Sequence, residues 1–261
     1  MTNIAPHKKI VIANWKMAVD AASVTTLTRA ASEELGKMDG HAGVVLCPPA
    51  LYLNHVYDIM AGGVTLGAQD AAVPDHPQGA QTGDISPAML EAAGCHYVIL
   101  GHSERRARYG ETDALVQAKV AAALAAGLTP ILCVGETAAE RAAGAGADRV
   151  RAQLAACLPP TITAPIYLTY EPVWAISGGS TTAASATLDD IAPMVHLMHA
   201  AAVAAGVDPG LIRMIYGGSV KESTIGDILT LSQVDGVLVG RASTVASELR
   251  GMIRVAAKFY R

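Results

Sequence analysis
Short apolar runs alternate eight times with longer stretches of helical periodicity, and that alternation restricts the chain more than any other feature. The runs fall at 10–13, 44–47, 64–68, 97–100, 130–134, 166–170, 212–216 and 237–239. Their apolarity is continuous rather than alternating, which predicts strands buried on both faces and so a parallel sheet covered by helices. Spread over the 261 residues, each unit takes about 33, the size of a βαβ unit. An open doubly wound sheet would carry G-x-G-x-x-G after its first strand. Asn14-Trp15-Lys16 stands there instead. The expectation is therefore an α/β protein, a closed (β/α)8 barrel of eight parallel strands. Residues 1–261 are expected to form one domain, because such barrels run to roughly 250 residues and no linker-like tract interrupts the chain.

The helices carry ordinary signals. In the last, Val245, Leu249, Met252, Ile253 and Ala256 lie on one apolar stripe. Alanine-rich stretches at 121–126 and 200–205 stop at Gly127 and Gly206, which fit C-terminal caps. Pro193 predicts a helix starting near Asp189 or Asp190, so that the proline falls in the first turn.

Composition excludes several function classes. A formal net charge of -4, without a basic run, argues against a nucleic-acid surface. No apolar run reaches the ~18 residues of a membrane helix, and 1–9 lead straight into a strand without a leader, so a cytoplasmic location is expected. Cys47, Cys95, Cys133 and Cys157 lack C-x-x-C spacing and fit buried reduced thiols. His196 and His199 lie three apart without a carboxylate or cysteine nearby, which predicts a solvated helix face and no metal.

Three strand ends carry chemistry. Run 166–170 delivers Glu171 at its C-terminal end. Pro172 then stiffens the following segment, Val173, Trp174 and Ile176 give it an apolar body, and Gly178-Gly179 supply a permissive hinge. This reads as a carboxylate at the foot of a flap that sheds water. Run 10–13 ends in Asn14-Trp15-Lys16, an amide donor and a fixed cation. Run 97–100 ends in Gly101-His102-Ser103-Glu104-Arg105-Arg106, with His102 where strand gives way to helix. Each alone is weak, but a carboxylate, an imidazole and an ammonium at the same end of three strands form a reaction centre.

These three segments closely resemble the triosephosphate isomerase family. Cys133-Val134-Gly135-Glu136, Tyr216-Gly217-Gly218-Ser219-Val220 and Val239-Gly240 extend the resemblance, in the family's order, over nearly the whole chain. It implies a TIM barrel that moves a carbonyl between adjacent carbons of a small phosphorylated sugar, in glycolysis and gluconeogenesis, as a homodimer without cofactor. Glu171 is then the base, since a carboxylate shut away from water gains basicity. His102 is the electrophile, because a helix N-terminus disfavours imidazolium and leaves a neutral N–H to polarise the carbonyl. Lys16 supplies positive charge, Asn14 orients and donates, and Glu104 is the second acid beside them. Backbone N–H groups of Ser177, Ser219, Gly240 and Arg241 hold the phosphate. Trp174 pairs with Glu136 when the flap is open, and Tyr216 with Ser219 latches it when closed.

The chain also departs from the family pattern. Ser177-Gly178 replaces glycine then threonine in the flap, and Arg241 replaces the second of two glycines after strand eight. In the loop expected to enter a neighbouring subunit, Gln81 stands for an aromatic and Asp84 for glutamate, while Asp70 replaces an asparagine. Thr82 remains to brace Asn14 and Lys16 across the dimer, and Asp84 is expected to reach Arg105 there. Two alternatives stay open: an isomerase of a four-carbon ketose phosphate, which would favour Arg241, and a catalytically silent phosphate-binding barrel.

Overall fold
The computed structural model describes residues 8–73, 79–176 and 185–260. The chain opens with strand β1 (Ile10–Asn14), helix α1 (Ala21–Lys37), β2 (Gly43–Cys47), α2 (Leu53–Ile59) and β3 (Thr65–Ala68). It continues through α3 (Pro87–Ala92), β4 (Tyr97–Leu100), α4 (Ser103–Tyr109), α5 (Asp113–Ala125) and β5 (Thr129–Val134). Then come α6 (Ala138–Ala142), α7 (Gly146–Cys157), β6 (Ile166–Tyr170), α8 (Leu188–Ala204), β7 (Ile212–Tyr216), α9 (Glu222–Thr230), β8 (Gly236–Val239) and α10 (Ala246–Ala257). The strands pair in chain order, all parallel, and β1 pairs with both β2 and β8, so the sheet closes into the expected barrel.

Continuous apolarity in the strands has the cause the sequence predicts. On β1, Ile10 and Ile12 join Val45, Cys47, Ile99, Ile131, Cys133, Ile215 and Leu238 in the barrel's inner core. Their alternates Val11 and Ala13 pack outward with Leu27, Ala31 and the helical layer. A side chain that points either way is buried, so the two-residue alternation carries no change of polarity. All four cysteines are free and buried.

Two helical expectations are corrected. Helix α8 begins at Leu188, where Thr187 and Asp190 form a reciprocal capping box and Ile191 is already buried. Pro193 therefore lies in the second turn, on the exposed side, and forgoes one helical hydrogen bond. Val245 does not share the buried stripe of Leu249, Met252, Ile253 and Ala256. It caps α10, is 47% exposed and lines the mouth of a cavity. Gly127 and Gly206 take the left-handed conformation expected past α5 and α8, with φ of 79° and 94°.

Candidate active site
At the C-terminal ends of the strands lies a cavity of about 750 Å³ lined by Asn14, Lys16, His102, Glu104, Glu171, Ser219, Gly240 and Arg241. Eight residues chosen from sequence thus share one space. Ser177, like Gly178 and Gly179, lies outside the described residues.

Glu171 follows β6 directly and is 2% exposed. Its backbone is pinned by its own N–H donating to Val134 O at 2.8 Å, and by Gly217 N–H donating to Tyr170 O at 2.8 Å. Gly135 is required beside it, since a Cβ there would lie 1.7 Å from the Glu171 carbonyl oxygen. The carboxylate accepts from Ser103 N–H at 2.9 Å through Oε2, and its Oε1 lies 3.1 Å from His102 Nε2.

His102 is the N-cap of α4, and its Nδ1 accepts the N–H of Glu104 at 3.2 Å. An Nδ1 that accepts leaves the ring proton on Nε2, the nitrogen facing Glu171. The imidazole is therefore a neutral donor aimed into the cavity, and the backbone of α4 sets its tautomer.

Lys16 takes φ of 50°, a left-handed conformation that bulky L-residues avoid. Two side chains hold it: Lys16 N–H donates to Asn14 Oδ1 at 3.0 Å, and Gln69 Nε2 donates to Lys16 O at 2.8 Å. The ammonium reaches Glu104 Oε1 at 2.6 Å. Burial pushes the Glu104 carboxyl up, but the hydrogen bond and charge of Lys16, with the charge of Arg108, outweigh it and hold its pKa below the ordinary value. Glu104 is thus a carboxylate that balances Lys16. Gln69 was not read as a site residue from sequence, although it stands directly after β3, at a strand end like the others.

After β6, Trp174 Nε1 donates to Glu136 Oε1 at 2.7 Å, the pair expected from sequence, and Tyr170 OH donates to the same oxygen at 2.9 Å. The Arg141 guanidinium stacks 4.0 Å from the Trp174 ring centroid and pairs with Asp190 at 2.6 Å. The Tyr216 hydroxyl lies against Gly218.

The expected interface residues are placed less simply. Thr82 and Asp84 are exposed, and Asp84 accepts a hydrogen bond from Gln81 at 3.3 Å. Arg105 Nε is engaged within its own chain, by Asp70 at 2.7 Å and Glu111 at 2.6 Å, while Lys119 bonds the same two carboxylates. His196 is exposed and bonded to Gln233, and among the described residues no group of side chains is arranged to hold a metal.

The chain matches the family model described as triosephosphate isomerase over residues 9–256. A curated triosephosphate isomerase of Azoarcus sp. (strain BH72) is 42% identical over 252 residues, covering 95% of this chain and 99% of that protein. That of Roseiflexus sp. (strain RS-1) is 44% identical over 242 residues, covering 91% and 93%. Among solved structures, triosephosphate isomerase from Bartonella henselae superposes with a TM-score of 0.83 at 37% identity, covering 95% of this chain and 98% of that one.

Proposed function
The chain belongs to the triosephosphate isomerase family, and from that membership we propose how its own residues interconvert dihydroxyacetone phosphate and D-glyceraldehyde 3-phosphate. The observation that carries this reading is the meeting of Glu171 and His102 at 3.1 Å in the cavity that also holds Lys16. Substrate enters between the two groups. The Glu171 carboxylate removes a proton from the carbon beside the carbonyl while His102 Nε2–H hydrogen-bonds the carbonyl oxygen, leaving an enediolate. The hydroxyl proton passes from one enediolate oxygen to the other by way of His102 Nε2, which gives a proton to the former carbonyl oxygen and takes one from the hydroxyl; Glu171 returns its proton to the adjacent carbon, and hydroxyl and carbonyl have exchanged places. Hydrogen leaves one carbon and arrives on the next, so the reaction is redox-neutral and asks for no cofactor. Lys16 offsets the negative charge of enediolate and phosphate, Asn14 orients the substrate, and backbone N–H groups of Ser177, Ser219, Gly240 and Arg241 cradle the phosphate. Glu104 holds Lys16 in place until the substrate arrives.

This reading carries the rest of the assignment. The enzyme serves glycolysis and gluconeogenesis in the cytoplasm as a single barrel domain, and no described helix is long and apolar enough to cross a membrane. It works as a homodimer, with Thr82 of one subunit bracing Asn14 and Lys16 of the other. Support comes from Met17, beside Lys16, which is 96% exposed, and from the exposed Leu51 and Met89. Apolar side chains so placed gain from being covered.

Turnover of three- and four-carbon ketose phosphates tests the substrate. The triose is expected to be preferred, and Arg241→Gly to change triose kcat/KM by less than about tenfold, roughly 1.4 kcal/mol. A parent enzyme that prefers the four-carbon substrate by more than about tenfold, with that preference lost in Arg241→Gly, overturns the triose reading.

A further inference from the structure
Among the described residues only Lys16 and Asp39 combine a side chain with a left-handed φ. Aspartate tolerates that conformation through its own short polar side chain, whereas lysine has no such local compensation. The conformation at Lys16 must be held from outside, and Gln69 does much of the holding. Its amide nitrogen donates to Lys16 O at 2.8 Å and to Cys47 O, at the tip of β2, at 2.9 Å. Both partners are carbonyl acceptors, so the amide has one orientation that satisfies them. The neighbouring Asp70 is fastened in turn, to Arg105 at 2.7 Å and Lys119 at 2.8 Å. Arg105 stands three residues after His102 on the α4 side of the cavity.

We propose that Gln69 is a positioning residue for the reaction: its amide fixes the left-handed backbone of Lys16 and thereby the place of the ammonium in the cavity. The claim rests on the reading of Lys16 as the charge that meets the substrate. A change in φ at Lys16 is carried along its four-carbon stem, and that stem has little free space. A Cβ on Gly240 would lie 3.2 Å from Lys16 Cε, so the stem passes close over this glycine and an added methyl would push it aside by a few tenths of an ångström. A rotated Lys16 loses both this passage and the 2.6 Å pairing with Glu104.

Gln69→Met keeps the length of the side chain and removes its donor. It is expected to lower kcat/KM and weaken inhibition by inorganic phosphate, each by on the order of tenfold or more, since displacements near 1 Å cost up to about 10²-fold. Circular dichroism and Tm should stay near those of the parent. Should Gln69→Met prove unstable, Gln69→Glu retains the shape, presents an acceptor to both carbonyls and should give the same losses. The deciding measurement is a cycle with Lys16→Ala. If Gln69 acts through Lys16, the double variant is no worse than Lys16→Ala alone within about twofold, whereas a merely structural role multiplies the two losses. Multiplied losses, or a Gln69→Met enzyme within about twofold of the parent, overturn the proposal while leaving Lys16 in its role. An undiminished Lys16→Ala enzyme removes the reading of Lys16, and this proposal with it.

Discussion

Glu171→Asp withdraws the carboxylate by one methylene, about 1.5 Å, and the surrounding backbone leaves it no way to recover the distance. The Glu171 N–H is bound to Val134 O and the carbonyl of Tyr170 to Gly217 N–H, each at 2.8 Å. Gly135 closes off movement from the other side. With the main chain fixed, Oε1 recedes from its 3.1 Å approach to His102 Nε2 and Oε2 from its 2.9 Å bond to Ser103 N–H. A substrate carbon placed for glutamate is then out of reach. Misplacement of this size costs about 10²-fold or more in kcat, or roughly 2.7 kcal/mol of barrier. The fold should not change, because the buried neighbours keep their contacts. Steady-state kinetics with matched circular dichroism measures the first effect. A larger primary isotope effect on substrate deuterated at the reacting carbon should accompany it, since proton abstraction becomes the slow step. A folded Glu171→Asp enzyme within about threefold of the parent would mean that another group takes the proton.

Two further outcomes are expected. On the homodimer reading, activity falls as the protein is diluted to monomer, because Thr82 is exposed in the single chain and braces Lys16 only across an interface; sedimentation that finds a fully active monomer at assay concentration refutes this. Asp70→Asn should leave Tm at pH 8 unchanged or raise it. Burial pushes the Asp70 carboxyl above its ordinary value of 3.8 despite the bond and charge of Lys119, so ionising it costs more in the folded chain than in the unfolded one, a cost that asparagine avoids. The sign follows from linkage: a raised carboxylate costs stability once the pH exceeds its unfolded pKa, so any advantage of Asp70→Asn narrows as pH falls toward 4. A Tm lowered by several degrees at pH 8 would mean that the ion pairs with Lys119 and Arg105 outweigh desolvation.

The barrel was legible in sequence because parallel strands buried on both faces leave continuous apolar runs, and eight of them leave little choice of architecture. That Glu171, His102 and Lys16 would meet at one end of the barrel was legible because each stands where such a run stops. What escaped reading depends on contacts made through space. Gln69 also follows a strand, yet an amide gives no sign of which carbonyls it will reach, and its partners Lys16 and Cys47 lie 53 and 22 residues away. Arg141 looks like any helical surface cation until the fold lays it over Trp174. Helix α8 starts earlier than Pro193 predicts because Thr187 and Asp190 cap each other there, and a proline in the second turn costs the helix only one hydrogen bond.

In the structure the groups assigned to the reaction are paired with one another. Glu104 holds the Lys16 ammonium at 2.6 Å, and the His102 Nε2–H points at Glu171 from 3.1 Å. Each pairing satisfies a charge or donor that burial makes costly to leave unmet. On the proposed mechanism each is exchanged when substrate binds. A phosphorylated carbonyl compound brings an anion that competes for Lys16 and an oxygen that competes for the His102 proton, and the second exchange frees the Glu171 carboxylate beside the carbon it is to deprotonate. Substrate binding and activation of the base are then one event, because the bond that the carbonyl oxygen takes from His102 is the bond that held the base.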